Sequence, residues 1–419
     1  MKNNIACIIL AAGEGTRMKS RIPKVLHTIC GKPMLGYVLE LAGKLKAKRT
    51  IVVVGHKKEL LKSLLAEYKV KTVYQDKLLG TADAVQRASS GLAGFNGNIL
   101  ILYGDQPLLE KETLARLLEK HNENKADATV LTGITNDPFG YGRIIRDNFS
   151  RVTAIVEEKD ADYAQREIKE INTGIICFKK EPLLRSIAGI KPNNAKKEYY
   201  LTDVIKIFAQ EGLRIESLCI DENDAGQAQG INTRGDLIAA QKVMRLRLLE
   251  DYIGKGVSIV DPESTFIDSG CKIGEETVIY PFTVIDKDVK IGKLCSIGPF
   301  CHLRSGTVLE DNVLIGNFTE LVRTRIGKNT WMKHFSYLGD AVVGRNVNIG
   351  CGTVSANFDG VNKQKTVIED DAFIGVDTLL RAPVRIGKKA KTGAGAVVIK
   401  DVKKGTVVVG VPARELKKA

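Results

Sequence analysis

The sequence is short of aromatic residues, at 6% with a single Trp in 419 residues. Acidic residues are in the minority, 49 Asp and Glu against 63 Lys and Arg. No CxxC pair occurs among the eight cysteines, Cys7, Cys30, Cys177, Cys219, Cys271, Cys295, Cys301 and Cys351. That excludes a zinc-ribbon spacing and argues against a disulfide framework. Most of the cysteines sit in apolar runs and read as small buried hydrophobes in a reducing compartment. No run approaches the ~20 apolar residues of a membrane span. The opening MKNNIACIILAAG has a short apolar run that passes straight into a Gly-rich turn. It lacks the longer apolar region and cleavage site of a signal peptide, so a buried strand and a cytoplasmic protein are expected. The 44% apolar content is ordinary and excludes wholesale disorder. At ~150 residues per domain, the length predicts two or three domains.

The net charge of +14 is unevenly spread, with 19 Lys and Arg against 11 Asp and Glu over 301–419. Nucleic acid, a small polyphosphate ligand and a merely solvated basic face are the three readings of such a balance. No basic helix and no interleaving of aromatic with basic residues occurs there, so the polyphosphate ligand is preferred. Neither a nucleic-acid nor a membrane partner is expected.

Two different periodicities fill the chain. Apolar runs at 5–10, 50–55, 70–74, 98–103, 128–133 and 173–178 predict strands. Helical patterns over Pro33–Leu45, Lys58–Tyr68, Ala82–Ser90 and Lys111–Asn122 lie between them. Near-continuous aliphatic strands alternating with helices predict an α/β domain with a mostly parallel, Rossmann-like sheet covered on both faces. Ligands then bind beyond the carboxyl ends of the strands. Residues 233–253 read as one long connecting helix. From 254 onward a new rule applies. Positions 273, 279, 285, 291, 297, 303, 309, 315 and 321 are all Ile or Leu, often followed by Gly. Six-residue steps are the hexapeptide signature of a parallel β-helix, with the aliphatic inward and the small residue beside it allowing the turn. This accounts for a Gly count of 40, above the usual ~7%. The register slips near Ile326 and Val343 and breaks over 355–367, a polar insert expected on the binding face.

The first strand leads into Leu10-Ala11-Ala12-Gly13-Glu14-Gly15-Thr16-Arg17-Met18, with Pro23-Lys24 following. Small residues after a buried strand let backbone N–H groups approach an anion. Met18 stands at the third Gly position of a Rossmann fingerprint, and no Gly-Lys-Ser/Thr completes a Walker A loop. The extended form LAAGxGTRM…PK resembles the signature of sugar-1-phosphate nucleotidylyltransferases. With the hexapeptide repeats, nearly the full length is similar to the bifunctional UDP-N-acetylglucosamine pyrophosphorylase / glucosamine-1-phosphate N-acetyltransferase (GlmU) family.

That resemblance implies a uridylyltransferase domain at 1–232, a linker helix at 233–253 and a left-handed parallel β-helix acetyltransferase domain at 254–419. The first half would join UTP to N-acetylglucosamine-1-phosphate and release pyrophosphate. The second would acetylate glucosamine-1-phosphate from acetyl-CoA, for cell-wall and lipopolysaccharide precursors. Leu10, Ala11, Ala12, Gly13, Lys24, Tyr103, Gly104 and Asp105 match nucleotide-binding positions, with Lys24 and Arg17 neutralising the triphosphate. Gln75, Gly80 and Thr81 match the uracil site, and Gly142, Glu157 and Asn172 the sugar site. Asp105, a carboxylate at a strand end and a natural Mg²⁺ ligand, pairs in the family with Asn232. His334 matches the catalytic base. Arg304, Tyr337, Asn348 and Lys363 match contacts to glucosamine-1-phosphate. Cys351, Asn357, Phe358 and Ala394 match positions near acetyl-CoA. In the family, helices of three subunits pack side by side and acetyl-CoA lies between subunits, which implies a homotrimer.

Four positions depart from the pattern. Val322 stands where the family has a Lys beside the sugar phosphate, Phe358 replaces a Tyr, Val376 replaces a Ser, and Gly410 falls about where an Arg is carried. Side chains alternate along a strand, so Arg323 need not substitute for the missing Lys. Three alternatives stay open: a uridylyltransferase whose solenoid is only a trimer scaffold, a transferase with another acyl donor or acceptor, and a nucleotidylyltransferase for another sugar or base. Singly, Asp105 also reads as a helix cap, Arg17 as a surface charge and Asn172 as a turn residue.

Overall fold

The computed structural model describes residues 4–55, 57–221 and 226–416. The chain divides into two compact units, Met1–Ala240 and Gln241–Ala419.

The first unit is built on one sheet. Its strands are β1 (Ile5–Ala11), β2 (Arg49–Val54), β3 (Lys71–Tyr74), β4 (Asn98–Tyr103), β5 (Ala128–Ile134), β6 (Arg143–Arg146), β7 (Val152–Val156), β8 (Glu170–Lys179) and β9 (Ile215–Ile220). The order is β9-β5-β8-β4-β1-β2-β3, with β6 and β7 branching from β8. Strands β3, β2, β1 and β4 are parallel to one another, as are β9 and β5. Strand β8 runs antiparallel to both β4 and β5, a direction that hydrophobic patterning alone does not encode. Helices Met34–Lys44, Thr81–Ala88 and Lys111–Glu123 follow the helical patterns closely. The pattern over 58–68 instead gives a 3-10 turn, Lys58–Leu61, and a short helix, Lys62–Ala66. Only Leu61, Leu64 and Leu65 are buried along it, too few contacts to sustain a longer helix. The long connecting helix spans Arg234–Gly254.

The second unit is a left-handed parallel β-helix. Short strands repeat on three faces, in sheets of ten, eight and seven strands. Ile279 pairs with Ile297, Ile285 with Leu303 and Ile291 with Leu309, three hexapeptides to a coil. The whole row from Ile279 to Leu321 is buried at 4% exposure or less. A second row two residues earlier has the same period: Thr277, Thr283, Val289, Cys295, Cys301, Thr307, Val313 and Thr319, all buried. Several of its polar members bond carbonyls of the next coil, as in Thr277 Oγ1 to Gly292 O (2.9 Å) and Cys301 Sγ to Gly316 O (2.7 Å), whereas Thr283 Oγ1 donates to Tyr280 O of its own coil (2.8 Å). This explains Cys295 and Cys301 as buried spacers rather than reagents.

The glycines following the aliphatics serve close packing of coils more than turning. A Cβ on Gly316 would lie 1.8 Å from the Lys333 carbonyl oxygen of the next coil. The register slip at 326 is a coil shortened by one residue, with Leu309 opposite Ile326. The break over 355–367 is a loop closed by a bridge between Phe358 and Lys363. After it the coils resume, with Val343 opposite Ile368.

Candidate active sites

In the first unit the expected residues converge at the carboxyl ends of the parallel strands. Leu10 and Ala11 end β1, Ala12 is buried and Gly13 exposed. Gly15 adopts φ +65, and a Cβ there would fall 2.5 Å from the Lys24 Cβ. Glycine thus allows both the left-handed turn and the close seat of Lys24 against the loop. Arg17 lies exposed on the 3-10 turn Thr16–Met18 that follows.

Gly104 follows β4 and donates its N–H to Leu10 O at 2.9 Å, which ties the ends of β4 and β1 together. The Lys24 ammonium donates to Asp105 Oδ2 and, at 3.0 Å, to Asn232 Oδ1. Two oxygens from distant parts of the chain therefore point at one cationic centre. Asn232 is held by Asp236, which accepts from the N–H groups of Asn232 (2.8 Å) and Thr233 (2.9 Å) and caps the long helix. Burial works against the Asp236 carboxylate. Those N–H groups, the Thr233 hydroxyl and the Arg17 charge outweigh it and hold Asp236 below the usual range. The Arg234 guanidinium reaches back to Met18 O and to His27 Nδ1, both at 3.3 Å. Asp236 had a visible signal, the Thr233-x-x-Asp236 spacing of a helix cap. His27 and Arg234 had none.

Gln75 follows β3 and is buried. Its amide nitrogen donates to Gly80 O (3.1 Å) and to Asp83 Oδ2 (2.7 Å), which presents the carbonyl oxygen as the acceptor for a ligand. Thr81 opens the next helix and accepts from Leu201 N–H at 3.0 Å. Asn172 donates its N–H to Gly142 O at 2.8 Å, and its Oδ1 accepts from Gly174 N–H. Glu157 lies beside them and accepts from the Thr202 hydroxyl at 3.0 Å. Burial raises its carboxyl above the ordinary range, Thr202 notwithstanding. The Tyr103 ring packs against Gly174. Its phenol is raised by burial, with Glu157 and Asp105 adding to it, so Tyr103 stands between the two groups of residues. Asp83 and Thr202 carried no sequence signal; they act only through what they hold.

Among the described residues, no group of three or more His, Cys, Asp or Glu could hold a metal ion. Asp105 and Asn232 offer two hard oxygens, and the remaining ligands of a cation there have to come from water and substrate. A cleft of about 680 Å³ lies elsewhere in this unit, lined by Arg146, Arg151 and Arg214. Each of these is already paired, with Glu170, Asp147 and Glu216 respectively.

In the solenoid the expected residues flank the eight-stranded face. Tyr337 lies on that face, in strand Ser336–Gly339. A cleft of about 550 Å³ opens over it, with Phe282, Phe300, Phe318 and Phe335 along one side. The first three rings stack at 4.8 and 5.2 Å between centroids. One corner column carries exposed His334, then Cys351, Val376 and Ala394 on successive coils. Its rungs are bonds such as Gly352 N–H to Phe335 O (2.8 Å) and Gly395 N–H to Val376 O (2.9 Å). Asn348 lies on the adjoining ten-stranded face, opposite Trp331. The other corner carries Arg304, Val322, Arg323, Asp340 and the insert with Asn357, Phe358 and Lys363. Arg304 is paired with Glu320 at 2.9 Å. Val322 is buried at 4% exposure, and Arg323 makes a two-point bond to Asp340 (2.6 and 2.8 Å). Arg323 is therefore committed to Asp340 and is no free cation beside Val322. Asp340 also accepts from Asn357 Nδ2 at 2.6 Å, and the Tyr337 hydroxyl lies 3.5 Å from Asn357 Oδ1. Gly410 takes φ +88 in the last turn.

Residues 7–167 match the model of the MobA-like NTP transferase domain, and residues 270–304 that of the bacterial transferase hexapeptide (six repeats). A Shouchella clausii protein named bifunctional protein GlmU is 42% identical over 94% of this chain and 94% of its own length. The protein of that name from Thermosipho africanus is 44% identical over 96% of this chain and 94% of its own. A solved UDP-glucose pyrophosphorylase in complex with UDP-glucose aligns with 58% of this chain and 98% of its own, at 17% identity and a TM-score of 0.47.

Proposed function

The chain belongs to the GlmU family of bifunctional proteins, and on that premise we propose two group transfers for its two halves. The N-terminal half transfers the uridylyl group of UTP to N-acetylglucosamine-1-phosphate. The C-terminal half moves an acetyl group from acetyl-CoA to the amine of glucosamine-1-phosphate. The observation that carries the first assignment is the convergence of Lys24, Asp105 and Asn232 beside the Gly13–Gly15 loop.

The sugar phosphate attacks the α-phosphorus of UTP, an O–P bond forms and pyrophosphate leaves. The nucleophile is already an anion, so no general base is required. The task is to seat two mutually repelling anions in line and to neutralise charge as it develops. Lys24 and Arg17 face the triphosphate. The Gln75 carbonyl oxygen accepts the imide N–H of uracil, and backbone at Gly80 and Thr81 completes that edge. Gly142, Glu157 and Asn172 take the sugar. Asp105 and Asn232 would hold Mg²⁺, an ion that keeps waters and takes phosphate oxygens as further ligands. Bound there, it supplies neutralisation of phosphate charge.

In the solenoid, His334 takes the proton from the amine as nitrogen attacks the thioester carbon, the C–S bond breaks and the CoA thiolate leaves. Arg304, Tyr337, Asn348 and Lys363 hold the acceptor. Cys351, Asn357, Phe358 and Ala394 line the donor. We place the functional boundaries at 1–232, 233–253 and 254–419. A homotrimer is supported by the exposed aliphatics Ile238, Val243, Leu246 and Ile253 on the long helix. No helix among the described residues is long and apolar enough to cross a membrane; nucleotide and CoA substrates favour the cytoplasm.

A second reading, a uridylyltransferase with a scaffold solenoid, is favoured by buried Val322 and by the engagement of Arg323 with Asp340. Thiol release from acetyl-CoA, with and without glucosamine-1-phosphate, separates the two. We expect release that depends on the acceptor and is abolished by His334→Ala. Absence of release from protein that makes UDP-N-acetylglucosamine leaves the scaffold reading.

A further inference from the structure

We infer that Asp340 is the positioning residue of the acetyl-transfer half, fixing which end of the Asn357 amide faces the donor; this rests on the acetyl-transfer reading above. Asn357 is 7% exposed, and its amide is held at two points. Nδ2 donates to Asp340 Oδ2 at 2.6 Å, and Oδ1 faces the Tyr337 hydroxyl at 3.5 Å. A hydroxyl donates or accepts, so Tyr337 alone tolerates either orientation of the amide. An ionised carboxylate only accepts. Asp340 therefore selects the orientation with nitrogen toward it, and the second Nδ2 hydrogen is left for a carbonyl of the acyl donor.

Asp340 is itself pinned. Arg323 bonds it at both carboxylate oxygens, and its own N–H donates to Val322 O at 3.0 Å. The Arg323 bond holds its carboxyl below the usual range against burial, with Asn357 and the Lys363 charge assisting. The insert is tied in at the same point, through Gln364 N–H to Asn357 O at 2.7 Å. Asp340 thus joins the shortened coil, the strand bearing Tyr337 and the polar insert. A one-residue contraction of the coil places Arg323 opposite Asp340, so the irregularity in the repeat becomes a clamp.

The test is calorimetric binding of acetyl-CoA to the full-length protein. Asp340→Asn keeps the shape and removes the acceptor-only charge. We expect it to weaken acetyl-CoA about tenfold, the scale of one charge-assisted hydrogen bond, with uridylyl transfer and the melting temperature unchanged. In an Asn357→Ala background the same substitution is expected to cost nothing further, because the amide it orients is gone. A general structural role would give costs that add. Additive costs, or wild-type affinity in Asp340→Asn, would overturn the inference, as would wild-type protein that binds no acetyl-CoA. If Asp340→Asn lowers the melting temperature, Arg323→Gln carries the test. It unpins Asp340 but leaves the Asn357 contact, and a several-fold loss is expected only where Asn357 is present; unchanged binding refutes the clamp. Wild-type protein that binds acetyl-CoA but releases no thiol with glucosamine-1-phosphate sinks the acetyl-transfer reading, while the same cycle still decides what Asp340 does.

Discussion

The two units solve the problem of placing a site in opposite ways. The first collects residues from distant parts of the chain: Lys24, on a turn after β1, meets Asp105 just past the end of β4 and Asn232 just before the start of the long helix. The second builds a periodic frame and departs from it. Arg323 and Asp340 face each other across a coil one residue short, and Asn357 belongs to an insert that interrupts the repeat. Regular elements supply rigidity in both. The candidate site residues lie on the loops of the sheet and, in the solenoid, both at its irregular corner and on the regular corner column that carries His334.

If the two sites are independent, one substitution should separate them. Asp105→Asn removes a carboxylate aimed at the cationic centre and leaves the solenoid untouched. We expect uridylyl transfer to fall about a thousandfold, several kcal/mol of lost charge stabilisation, with acetyl transfer unchanged. Pyrophosphate and free thiol assayed on the same preparation decide the matter. A parallel loss of both would break the comparison, because it would make the halves one cooperative machine.

The same contrast explains what the sequence made visible. The fold was legible because burial repeats: aliphatic runs gave the strands, and step-six aliphatics gave the coils. The row from Thr277 to Thr319 has the same period but mixes Thr, Val and Cys, so hydrophobicity alone hides it. Strand β8 shows its apolar residues but not its direction, and β6 has four residues, too short for any period to register. Candidate site residues were legible where they sit in a contiguous motif, as at Leu10–Met18. Asp83, Thr202 and Asp340 were not, because each acts through a partner brought near only by the fold, and Asp340 lies 17 positions from both Arg323 and Asn357. Asp236 falls between, since its capping pattern is local and its role in holding Asn232 is not.

Glycine sharpens the comparison further. Gly316→Ala forces a Cβ within 1.8 Å of a backbone oxygen that belongs to the next coil. It should destabilise the solenoid by about 3 kcal/mol, the upper end of ordinary overpacking. Gly13→Ala meets nothing within 4 Å, so stability should hold while UTP binding weakens, because the new methyl projects where phosphate must approach. Thermal unfolding and nucleotide titration of the pair test both halves of the claim. A stable Gly316→Ala variant would mean that the coils can separate locally without penalty.

Acid should tell the units apart by a smaller margin. His121 is 1% exposed, with Nδ1 2.9 Å from the Thr129 hydroxyl. Burial, with the Lys179 charge, lowers its pKa to about 4. Its unfolded value is 6.5, so below that pH the unfolded chain takes up a proton that the folded protein refuses. The stability due to neutral His121 is therefore complete above pH 6.5 and is lost as the pH falls toward 4. Burial and Arg234 push His27 the same way. The solenoid's fully buried polar groups are Thr, Ser, Asn and Cys, which take up no proton in this range. Asp340, held below the usual range chiefly by Arg323, loses its contribution only at lower pH, while burial raises Asp268 in the same unit. Glu157 and Asp203 in the first unit are raised and pull in the opposite direction, so the informative quantity is a difference between variants. Between pH 7 and 5, wild-type protein should lose about 2 kcal/mol relative to His121→Leu. That difference should appear in the transition of the first unit and not in that of the solenoid. Equal slopes for wild type and variant would show that His121 is protonated in the folded state, and the acid contrast between the units would then have to come from the carboxylates alone.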